Sequence, residues 1–173
     1  VASDERQALL RSLRELPKAM EQTLATRSAI AEAAQRFAPS RRYWAIVGNG
    51  VNRIAAQEIR IKLSELCYKS IACDATEDKK HIDLSSEPMI LVCAAGLMGG
   101  TADDVAKEVA IYKAHKATPI VVATEGDGRF AAAAAVLTVP AVDPALAFVL
   151  SAALASHAQA PQRGVRIGDQ AIA

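Results

Sequence analysis

The sequence is poor in aromatic residues, which make up 4% of its 173 positions, and carries almost no excess charge, with 20 basic against 19 acidic side chains. So few aromatics give no stacking platform for single-stranded nucleic acid. A net charge of +1 gives no electrostatic footing on nucleic acid or an anionic membrane. No apolar run approaches the ~20 residues needed to span a bilayer. Residues 1–14 are charged and amphipathic rather than basic then apolar, so no secretory leader is expected. A soluble, cytoplasmic protein without nucleic-acid or membrane partners is the expectation. Cysteine is scarce too. Cys67, Cys73 and Cys93 form no C-x-x-C pair, and Cys67 and Cys73 have no His pair near them, so no metal or cofactor is expected. Cys67 and Cys93 read as buried free thiols.

What is present is apolar bulk, 51% of the chain, enough for one globular domain that buries roughly 70% of its unfolded surface. The chain begins at Val1 rather than Met, and is expected to be a piece of a longer protein. Residues 4–16 and 18–37 repeat apolar positions at helical spacing, with Pro17 expected to divide them because it lacks an N–H and crowds the preceding turn. From Tyr43 the pattern changes to short continuous apolar runs, at 43–47, 71–73, 88–94, 118–123 and 136–139. Helical patterns stand between or after them at 52–69, 102–115 and 144–157. Such alternation indicates a parallel sheet covered on both faces. The expected fold is therefore α/β, a doubly wound parallel sheet in a three-layer sandwich over 42–158. An N-terminal helical arm precedes it at 1–41, and a tail follows at 159–173.

Parallel sheets bind ligands at the carboxyl ends of their strands. Gly48, Asn49, Gly50 and Asn52 fall there, where glycines allow a sharp turn and a close backbone approach at a helix N-terminus. Position 53 is Arg where a dinucleotide fingerprint has its third Gly, while Asp74 stands where a ribose-binding acid would. A plain strand–helix turn and a nucleotide site both remain open on these residues. The helix at 52–69 carries two polar stripes. Arg53, Gln57, Arg60 and Ser64 form the expected solvated face. Glu58, Lys62, Glu65 and Lys69 form a second stripe between apolar flanks, expected to point inward. Three readings of that stripe stand: a cleft lining, a partner contact, or a buried ladder of i,i+4 ion pairs. The charged segment 76–84 reads as a loop, and its His81 is the side-chain type best suited to proton transfer.

Together, Gly48-Asn49-Gly50, then Glu58, Lys62, Glu65 and Tyr68 on one helix, then Lys80-His81, resemble the sugar isomerase (SIS) domain family. The match is specifically to the second isomerase lobe of glucosamine-6-phosphate synthases. The resemblance runs from about Glu5 to His157. It implies ketose–aldose proton transfer on a phosphorylated sugar, with Glu65 as the base between C1 and C2. It further implies that Lys62 steadies the enediol-like charge, that Glu58 positions Lys62, and that His81 assists ring opening in a neighbouring subunit's site. Thr101, the one hydroxyl in the segment 94–101, would be the remnant of the family's phosphate loop. A homodimer is implied, as are a further SIS lobe or a glutaminase domain in the parent chain. The other outcome left open is a non-catalytic SIS module that senses a sugar phosphate.

Overall fold

The computed structural model describes residues 3–81 and 84–157. Its apolar runs form β1 (Trp44–Gly48), β2 (Ala72–Asp74), β3 (Met89–Cys93), β4 (Thr118–Thr124) and β5 (Ala135–Val139). Each neighbouring pair is parallel, in the order β2-β1-β3-β4-β5. The central strands β1, β3 and β4 are buried along almost their whole length, which is why they read as unbroken apolar runs rather than alternating ones.

Period-two alternation sends successive side chains to opposite layers. Ala45, Val47, Ile90 and Val92 pack under α5 (Gly99–Ala114), against Val105, Val109 and Tyr112. The short α4 (Thr76–His81) lies beside α5 in that layer. On the other face Ile46 and Cys93 meet Ala55, Ala56 and Ile59 of α3 (Asn52–Cys67), while Ile120 and Val122 meet Leu150 and Leu154 of α6 (Ala147–His157). The architecture is the three-layer sandwich expected from the sequence.

Two local expectations are corrected. Pro17 does not divide the N-terminal helices, because α1 (Ser3–Ala25) runs straight through it. Pro17 and Leu13 are both exposed, so the carbonyl that loses its N–H donor there can turn to solvent. The break comes at Thr26, whose N–H (3.1 Å) and hydroxyl (2.7 Å) both donate to the Thr23 carbonyl before α2 (Arg27–Phe37) begins. Ala19 of α1 and Ile30 and Ala33 of α2 are buried in the same cluster as β4 and α6. The second correction is the charged segment after β2, which is a helix over Thr76–His81 rather than a loop. The tail at 159–173 lies outside the described residues.

This topology positions the site. β2 lies on one side of β1, and β3 on the other. The connections leaving β1 and β3 therefore diverge, opening a crevice between their carboxyl ends.

Candidate functional site

The crevice is built by the turn after β1. Gly48 is obligatory, because a Cβ there would stand 2.5 Å from the Asn52 carbonyl oxygen, and Gly50 takes φ +55°. Asn52, 1% exposed, donates its amide to the Ala95 carbonyl at 2.8 Å and so ties the β1 turn to the β3 turn across the switch point. Its Oδ1 has no hydrogen-bond partner among the described residues. Asn49 is used up inside the chain. Its Nδ2 donates to the Thr76 hydroxyl (2.6 Å) and its Oδ1 accepts from the Thr76 N–H (3.1 Å). Thr101 is exposed in the first turn of α5. Across the neighbouring gap, Gly96 N–H donates to the Thr124 hydroxyl at 2.9 Å.

The second stripe of α3 points outward, contrary to expectation. Glu58 and Glu65 are exposed, and so are the apolar residues beside them, Ile54 (56%), Ile61 (40%) and Tyr68 (83%). Of the face expected in solvent, Gln57 is exposed, but Arg53, Arg60 and Ser64 are half-buried. The reason is the packing of α6 beside α3, where Phe148 and Ala152 join the cluster of Ile59 and Leu63. Ile54, Ile61 and Tyr68 recur every seventh residue, and Glu58 and Glu65 form a parallel acidic row next to them. The stripe is no buried ladder. Lys62 lies 3.8 Å from Glu58 with both side chains more than two-fifths exposed, a pair worth only about 0.3–0.5 kcal/mol. Glu65 has no ion pair with a described residue, since Lys69 turns away to the Arg42 carbonyl (3.1 Å) and the Trp44 ring (4.7 Å). Tyr68 ends α3 in the left-handed region, at φ 49°, where a bulky residue is uncommon.

His81 ends α4, 69% exposed, with its Nε2 at 3.6 Å from Glu77. Lys80 bridges Glu77 (2.8 Å) and Glu108 of α5 (3.0 Å). The Lys80 ammonium hydrogen-bonded to it holds the Glu77 carboxyl below its ordinary pKa. Glu77, followed by Glu108, raises that of Lys80. Tyr112 donates its hydroxyl to the Thr76 carbonyl, and burial pushes its pKa upward. Sequence reasoning missed Thr76, Glu108 and Tyr112. The one visible signal was a Glu and a Tyr at i,i+4 on an otherwise apolar helix face.

The candidate residues thus fall into separate groups within one chain. Gly48, Asn49, Gly50, Asn52 and Thr101 gather at the carboxyl ends of the strands. Glu65 lies thirteen residues along α3 from Asn52, about 20 Å at a helical rise of ~1.5 Å per residue. His81 stands in the opposite layer from Glu58, Lys62 and Glu65. Among the described residues, no group of His, Cys, Asp and Glu is arranged to hold a metal ion. Nor is any described helix long and apolar enough to cross a membrane.

No protein-family model matches the chain. Among solved structures, it superposes on the sugar isomerase domain of an RpiR transcription factor from Sphaerobacter thermophilus with a TM-score of 0.63 at 12% identity, covering 92% of each chain. The chain has the fold of sugar isomerase (SIS) domains. Within that class it resembles the second isomerase lobe of glucosamine-6-phosphate synthase, also called glutamine–fructose-6-phosphate aminotransferase (isomerizing). It is 30% identical over 154 residues to that enzyme from Thermus thermophilus, an alignment covering 87% of this chain and 25% of the relative. The chain therefore spans about a quarter of the length of the curated relatives it matches. The C-terminal domain of glucosamine-fructose-6-phosphate aminotransferase from Francisella tularensis superposes with a TM-score of 0.76 at 15% identity, over 92% of this chain and 46% of that one.

Proposed function

We propose that this domain is the isomerase lobe of a cytoplasmic glucosamine-6-phosphate synthase-like protein, moving a proton between C1 and C2 of a phosphorylated hexose such as fructose 6-phosphate. One observation carries this: the acidic row of α3, with Lys62 at one side, lies open beside the uncovered row of Ile54, Ile61 and Tyr68. A charged strip with an apolar border is half of a site, suited to closure by a second surface. Glu65 takes the proton from C1 of the open-chain ketose and returns it to C2 of the enediol. Lys62, positioned by Glu58, balances the charge that builds on the carbonyl oxygen. His81, in the opposite layer, assists ring opening in the site of a second subunit. A two-fold homodimer is the smallest unit that supplies both groups. A further SIS lobe and a glutaminase domain belong to the parent chain in this proposal, with the sugar phosphate as ligand.

Incubation of the longest available chain with fructose 6-phosphate in D₂O, followed by NMR at C1 and C2, tests it. Exchange in the wild type and none in Glu65→Gln is the expected result. A second reading, a sugar-phosphate sensor without turnover, is favoured by the segment 94–101, where Thr101 is the one hydroxyl, and by the commitment of Asn49 to Thr76. Ligand line broadening without exchange in the wild type would select it.

A further inference from the structure

Helix α4 is six residues long, too short to hold itself, yet it carries His81 at its last position. Its support comes from outside. Every polar group of Thr76 is taken at its first residue: Asn49 holds the N–H (3.1 Å) and the hydroxyl (2.6 Å), and Tyr112 holds the carbonyl. At its far end Lys80 reaches Glu108 Oε1 at 3.0 Å and Glu77 Oε2 at 2.8 Å. Glu77 in turn lies 3.6 Å from His81 Nε2. Glu108 is 7% exposed, and its Oε2 has no hydrogen-bond partner among the described residues. Burying a half-satisfied carboxylate is costly, and an apolar side chain at this position of α5 would not carry that cost. The carboxylate does something an apolar group cannot. It gives Lys80 a fixed anchor in the domain core.

We propose that Glu108 is a positioning residue for His81: from α5 it anchors Lys80, which holds Glu77 against the imidazole. The chain Glu108–Lys80–Glu77–His81 gives an exposed ring a defined place, while Asn49 and Tyr112 fix the start of the helix that bears it. Asn49 belongs to the crevice turn, so α4 also joins that turn to His81. This rests on the proton-transfer role of His81 proposed above, and its test is divided so that the two fail separately.

The first arm needs no turnover. The His81 Cε1–H resonance, assigned by its loss in His81→Asn, is recorded in the wild type, Glu108→Gln and Lys80→Met, with His115 as internal control. Both variants are expected to shift or broaden His81 and leave His115 in place. An unmoved His81, or equal changes at both histidines, overturns the proposal. Lys80→Met breaks the same link from the exposed side should Glu108→Gln fail to fold. The second arm is a kinetic cycle on proton exchange. Glu108→Gln is expected to lower kcat about 10- to 100-fold at nearly constant KM. It should cost nothing further in a His81→Asn background. An equal loss in both backgrounds overturns the positioning role. A wild type that moves no proton, with the His81 resonance responding as described, overturns the catalytic reading alone and leaves the positioning chain standing.

Discussion

The two ends of α3 are built by opposite rules. At its start Asn52 is buried and bonded across the switch point, Gly48 admits no side chain, and Asn49 is spent on Thr76. At its end Glu65 has no ion pair with a described residue, Leu66 is 45% exposed and Tyr68 is 83% exposed in a left-handed cap. Polar residues at the first end hold the chain together; at the second end Lys69 also bonds within the chain, while Glu65 is left exposed without an ion pair to a described residue. In the glycine- and asparagine-rich turn, where the sequence leaves a plain strand–helix turn and a ligand site both open, the side chains of Asn49 and Asn52 bond within the chain. The charged face with Glu58 and Glu65, expected from the sequence to point inward, is exposed, and the proposed chemistry rests on it.

Substitutions can break or sharpen this contrast. The largest effect is expected at the open end, where Glu65→Gln should reduce C1–C2 proton exchange about 10²- to 10⁴-fold. Its unfolding free energy should stay within about 0.5 kcal/mol of wild type, checked by urea titration. At the closed end Gly48→Ala should behave in the reverse way. Its Cβ would collide with the Asn52 backbone, so a loss of about 1–3 kcal/mol or more is expected in the same titration. A tolerated Gly48→Ala would end the claim that this turn is structural. Asn52→Ala strips the Ala95 carbonyl of its donor in a buried place, for an expected loss of about 1–2 kcal/mol.

Ile61→Lys should leave the stability of one subunit within about 0.5 kcal/mol, because the side chain is already exposed. By sedimentation it should convert a dimer that uses the α3 face into monomer, and an unchanged dimer would move the interface elsewhere. The smallest effect concerns the thiols. Burial pushes the Cys93 thiol up to about 12, while Cys67 and Cys73 are raised by half-burial. At pH 8 disulfide reagents should therefore label Cys67 and Cys73 slowly and Cys93 only on unfolding.

How far the sequence foretold these things depends on the length and the covering of each element. Runs such as Ile90–Val92 were legible because a strand buried on both faces has no alternative but apolar side chains. Pro17 misled because a proline breaks a helix through the carbonyl it orphans, and here the residue that owns that carbonyl, Leu13, is exposed. The segment Thr76–His81 is too short and too polar for any helical period to register. For α3, periodicity found both polar stripes correctly. Which one faces out was decided by α6, eighty residues later in the chain, and no local pattern contains that. The pairing of Lys80 with Glu108 is hidden for the same reason.

The short second strand has a consequence for how copies of this domain can meet. β2 is an outer edge of the sheet, beside β1, and only three residues long. An added strand would gain two or three backbone hydrogen bonds there, each worth about 0.5–1.5 kcal/mol net, against an association cost of about 4–15 kcal/mol. Continuation of the sheet from one molecule into the next is closed off at that margin. Assembly on this side must run through side chains, and a change of partner then needs no change of backbone.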